Sequence, residues 1–192
     1  QLHARLKGVM RIPSILLFSL LLACPLLPAQ APGGVAAEWN TRENIAAMGK
    51  KLQEVRPILD QLKPQQWVEK GASDGYVQQF ESVLEELRGV EWSLGNLSKS
   101  PEKLSFAVDS YLRVQSMRGK VSSVNEAVRR YQNAAIAELI DAYLADSSGS
   151  QNELMVYLRE LSEQKEAELE VMAEETQRCR VERIQHRPAP KQ

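Results

Sequence analysis

From Asn40 to Met172 the apolar residues of this 192-residue chain recur at steps of three and four, and no segment alternates apolar with polar residues. That period restricts the fold more than any other feature. A three–four step gathers side chains on one face of an α-helix and leaves a β-sheet no face to bury. Four stripes are legible. The first is Ile45, Met48, Leu52, Val55, Leu59 and Leu62, and the second Tyr76, Phe80, Val83, Leu87, Val90, Leu94 and Leu97. The third is Leu104, Ala107, Tyr111, Val114, Val121, Val124, Val128 and Tyr131, with a slip near Arg118. Leu154, Leu158, Leu161, Leu169 and Met172 form the last. One such helix is marginal in water on its own, so the stripes have to face each other.

The residues between the stripes set the expected boundaries. Asn40 with Glu43 reads as a capping box opening the first helix. Pro57 removes a backbone donor within the first stripe and predicts a kink. Pro64 and Gly71 bracket a short helical turn that carries Trp67 and Val68. The second helix starts near Ser73-Asp74 and stops before Ser100-Pro101, where Ser at the cap and Pro at the first position would open the third. At Gln132-Asn133 the third helix either breaks, with Asn133 capping residues 134–145, or runs on with a bend. Asp146-Ser147-Ser148-Gly149-Ser150 reads as a loop, and Ser150 with Glu153 as a second capping box. The expectation is an all-α, up-and-down four-helix bundle over residues 38–184, with a kinked first helix, a long C-terminal helix and a disordered tail at 185–192.

Residues 1–37 read as an export leader. Arg11 precedes an apolar run of about 16 residues from Ile12 to Leu27, shorter than the roughly 20 that a spanning helix needs and interrupted by Pro13 and Pro25. Met10 is a natural start, which makes residues 1–9 an upstream extension. Cleavage after Ala29, Ala31 or Ala37 would release a secreted or periplasmic protein. Leu21-Leu22-Ala23-Cys24 offers the alternative, a lipobox in which Cys24 is acylated, and only then would the chain meet a membrane. All 25 acidic residues lie past the leader, whereas Arg5, Lys7 and Arg11 lie within it, so the remaining chain has a net charge of −4. That balance favours solubility and supplies no basic footprint for nucleic acid. Cys179 alone remains after leader removal, so no internal disulfide is expected.

The search for chemistry returns little. Ser100-Pro101-Glu102-Lys103 and Tyr131-Gln132-Asn133 resemble two of the three motifs of penicillin-binding proteins, in which a Lys activates a Ser for acyl transfer. The resemblance covers seven residues, lacks the Lys-Thr-Gly motif, and reads better as a helix cap beside a solvated Lys. Glu182 and His186 stand four apart but fall short of a metal ligand set. The run from Glu160 to Glu175 holds seven Glu on a helix, not on a calcium-wrapping loop. The sequence therefore predicts no catalytic residue, no metal and no cofactor, and a protein that is not an enzyme.

What remains is contact. Trp67 and Trp92 are candidates for an interaction patch, and the expected role is contact with another protein or that of a structural envelope component. A ligand-binding or sensing module, with its site between helices, is the alternative. The last helix, from Gln151 to about Ile184, would overhang the bundle, acidic first and then basic through Arg178, Arg180 and Arg183. Two copies could pair antiparallel through those blocks as a homodimer, and Cys179 could link them by an intermolecular disulfide.

Overall fold

The computed structural model describes residues 38–185, which are helical almost throughout and contain no strand among the described residues. In chain order the helices are α1 (Glu38–Leu52), α2 (Arg56–Leu59), α3 (Pro64–Glu69), α4 (Gly75–Lys99), α5 (Leu104–Ala127) and α6 (Ala134–Gln185). A 3-10 turn, Gln53–Val55, joins α1 to α2, and a π-turn, Val128–Gln132, follows α5. The leader with Cys24, and the tail beyond Gln185 with His186, lie outside the described residues.

The stripes are the core. All six residues of the first are buried, as are Val83, Leu87, Val90, Leu94 and Leu97 of the second. On α5, Ala107, Val114, Val121 and Val124 are buried, as is Val128 of the π-turn, and Met117 fills the place where the stripe slips. Neighbouring helices pack as α1 on α4, α4 on α5 and α5 on α6, with α6 also touching α1. Cross-helix bonds fix the directions. Gln53 Nε2 donates to Leu87 O and Ser98 Oγ to Arg42 O, so α1 and α4 run antiparallel. Ser116 Oγ donates to Glu86, and Ser123 Oγ to Gln79, so α4 and α5 do too.

Several expected boundaries move. α1 begins upstream of Asn40, which therefore lies within the helix and does not cap it. Ser100 closes α4, its N–H bonding to Asn96 O and Leu97 O, and α5 starts only at Leu104, so the Ser-cap, Pro-first reading fails. The 3-10 turn comes just ahead of Pro57, where the missing N–H would interrupt an α-helical ladder. Of the alternatives at Gln132-Asn133 the break is realised: Asn133 is extended, and its Oδ1 accepts from Ala135 N at 2.8 Å.

The largest correction concerns Asp146 to Ser150, which is not a loop. α6 passes through it unbroken for 52 residues, about 78 Å at the standard rise. The reason lies on α5. Arg118 crosses the α5–α6 seam, with Nε donating to Ser147 Oγ at 3.1 Å, Nη2 to Leu144 O at 2.8 Å and Nη1 to Gln151 Oε1. Only small side chains leave room for a guanidinium between packed helices, and Ser147 is buried there, while Ser150 is buried where α6 faces α1. Ser147 and Ser148 also bond back to the carbonyls of Leu144 and Ala145, so their hydroxyls stay satisfied inside the helix. Ser150 is thus a buried seam residue, not a cap.

Candidate functional site

The two tryptophans separate. Trp67, on α3, is fully buried, whereas Trp92, on α4, is 62% exposed. They do not form one patch, and Trp67 is a core residue. α3 is stopped by Gly71, two residues past its end, whose φ of +91° is the left-handed conformation that favours glycine. Gly71 N bonds to Val68 O at 2.9 Å and Ala72 N to Trp67 O at 3.0 Å, the paired bonds of a Schellman stop. The indole Nε1 of Trp67 donates to Gln132 Oε1 at 2.8 Å. The same oxygen accepts from Lys63 N at 2.9 Å, and Gln132 Nε2 donates to Gln61 O at 2.9 Å. Gln132 therefore clips the short segment around α3 onto the end of α5. Only the position of Gln132 at a helix end was visible in the sequence.

The acyl-transfer motif does not assemble. Ser100 and Lys103 lie before α5, and Tyr131 and Asn133 lie after it, separated by a 24-residue helix, about 36 Å long. Lys103 Nζ sits 5.0 Å from the centre of the Phe106 ring, Tyr131 packs against Tyr76, and Asn133 caps α6. Among the described residues no group of three or more His, Cys, Asp or Glu could hold a metal ion, and no helix is long and apolar enough to cross a membrane. Glu182 is exposed on α6.

Two phenols, Tyr143 buried and Tyr157 half-buried, stand out electrostatically. Tyr143 OH donates to Leu52 O at 2.9 Å, at the point where α1 gives way to the 3-10 turn, and loss of solvent holds its pKa above the ordinary tyrosine range. Tyr157 OH donates to Pro101 O, and desolvation, reinforced by Glu102, pushes its pKa up to about 12. Tyr143 ties α6 to the end of α1, Tyr157 ties α6 to the turn between α4 and α5, and both keep their protons. Neither faces a second titratable group with which it shares a proton.

Two surface features are left. The first is an open groove of about 520 Å³ between α1 and α6. Ile45, Met48, Leu154 and Tyr157 line it, with Lys51 and Glu153 among its polar residues. The second is the far end of α6. Leu161 is the last buried residue, and every position from Glu166 to Gln185 is exposed. Leu169 and Met172, expected in the core stripe, are 64% and 61% exposed, and Val171, Val181 and Ile184 are exposed as well. They fall beyond the start of α5, where no helix remains to cover them. Cys179 is an exposed free thiol on this stretch. Lys165 Nζ bonds Glu168 at 2.7 Å, and this bond, with a second from Gln164, lowers the pKa of the Glu168 carboxyl. No family model, no curated protein and no solved structure matches this chain.

Proposed function

We propose that this is an exported protein, an up-and-down four-helix bundle, that works by protein–protein contact and not by catalysis. The free end of α6 is its contact surface. One observation carries the reading: some twenty helical residues continue past the packed core and hold Leu169, Val171, Met172, Val181 and Ile184 in water. Large apolar side chains grouped on a protruding element mark interaction surfaces, because scattered surface residues do not require a helix extended to hold them. The antiparallel pairs α1–α4 and α4–α5, with Lys51 bonded to Asp146 across α1 and α6, support the bundle topology. The leader reading supports export, with Cys24 as the acylation site if the chain is held at a membrane.

A photo-crosslinking amino acid placed at Leu169 or Met172 in the producing cell tests this. A protein adduct at those positions, absent when the probe replaces exposed Glu126 on α5, is the expected result. No adduct at either position sinks the reading.

The groove between α1 and α6 favours a second reading, a small-ligand module. Its volume falls within the range of ligand sites, and its lining joins apolar residues to a few polar ones. A saturable rise in melting temperature with one compound class, abolished by Met48→Trp, would favour that reading.

A further inference from the structure

We infer that the groove between α1 and α6 binds a linear aliphatic polyamine, with its terminal ammonium groups on Glu153 and Glu160 and its methylene chain on the apolar floor between them. The inference rests on the ligand-module reading above and names the chemistry of that ligand.

The α6 edge of the groove is acidic at a regular interval. Asp146, Glu153 and Glu160 follow one another every seven residues, so they lie along one side of the helix. Glu153 and Glu160 both line the groove. Tyr143 reaches Leu52 O at one end of the helix pair, and Thr41 lines the groove with Glu160 at the other, so α1 and α6 run antiparallel. α1 answers the first acid with a cation, since Lys51 Nζ lies 3.1 Å from Asp146 Oδ2. In an antiparallel pair, the residue seven before Lys51 comes opposite the residue seven after Asp146. That residue is Asn44, which lines the groove with Glu153 and carries no charge. Lys51 is the only cation in the lining, and neither Glu153 nor Glu160 has an ion-pair partner among the described residues. Two acids of the row are left unanswered.

The two carboxylate positions are about 10.5 Å apart along the helix axis, and the floor between them is apolar. Ile45, Met48 and Leu154 are buried beneath it, and Tyr157 is fixed beside them by its hydroxyl bond to Pro101 O. A compact metal cation cannot touch both acids and leaves the floor wet. An anion is repelled, and a neutral compound leaves both carboxylates unanswered. A flexible chain with a cation at each end meets both carboxylates and dries the strip between them. At bond lengths near 1.5 Å, a chain of about eight methylenes spans the gap. Spermidine, whose three- and four-carbon segments flank a central amine, has that length and fits easily within about 520 Å³.

The test is calorimetric titration of the purified chain at roughly 0.15 M ionic strength. The probes are spermidine, 1,8-diaminooctane, the shorter 1,4-diaminobutane, and octylamine with its single charge. Spermidine and 1,8-diaminooctane should each bind one molecule per chain. The short diamine and octylamine, which reach one carboxylate only, should bind about threefold or more weakly, the scale of one exposed ion pair. Glu153→Gln and Glu160→Gln should each cost spermidine about threefold. Asn44→Lys, at an exposed position, sets the chain's own ammonium opposite Glu153 and should cost as much while removing no acid. Unchanged helicity and melting temperature show that each variant folds. Spermidine that does not bind, affinity indifferent to chain length, or substitutions without effect would each overturn the polyamine. If another compound class then binds and Met48→Trp abolishes it, the ligand-module reading stands without the polyamine. That reading falls only when no compound class raises the melting temperature.

Discussion

At the scale of single residues, the polar side chains that matter are those that close gaps in the backbone. Gln132 supplies the acceptor for a fully buried indole and for Lys63 N, and its amide reaches back to Gln61 O. Gln132→Ala leaves the Trp67 N–H buried without a partner, and the loss should be about 1–3 kcal/mol in a denaturant titration. Gln132→Glu keeps the acceptor and should cost less. The phenols give a pH signature. Below pH 10 both are protonated whether the chain is folded or not. Above it the unfolded chain ionises first, while Tyr157 holds its proton to about pH 12 and Tyr143 beyond. The unfolded state therefore binds fewer protons, so stability falls as pH rises from 10 towards 12. The double variant Tyr143→Phe, Tyr157→Phe should flatten that decline in a melting series.

At the scale of elements, α6 shows what a sequence discloses and what it hides. The stripes were legible because burial of one helix face repeats the same three–four step on every turn, and the residues read from Ile45 to Leu97 are buried or half-buried where that step put them. The Asn133 break was legible as one of two alternatives, because its side chain caps a helix locally. The run from Asp146 to Ser150 misled for the opposite reason. Its small residues are poor helix formers taken alone, and what keeps them helical is Arg118, which lies far away in sequence and next to them in space. Gly149 tests this. It sits in a helix interior with nothing within 4 Å of an added Cβ, so Gly149→Ala should raise stability by roughly 0.5–1 kcal/mol. If the segment were a loop, the gain would be absent. Trp67 was unplaceable from sequence, since the segment that holds it is too short to have a period, and its burial comes from the Schellman stop and the Gln132 clip.

At the scale of the whole molecule, packing ends at Leu161 while the helix goes on. Ending the chain after Lys165 should therefore leave the melting temperature within about 2 °C of the full chain, since no buried residue is removed. Leu154→Ala, inside the packed half, should cost about 2–5 kcal/mol in the same measurement. The rod's length has a mechanical side. α6 is gripped over its first half by α5 and α1, and its second half is about 36 Å of unsupported lever from Leu161 to Gln185. A tilt of about 10° at the grip would swing the tip by about 6 Å at that length, so a small strain at Arg118 or Tyr143 is magnified at Arg183.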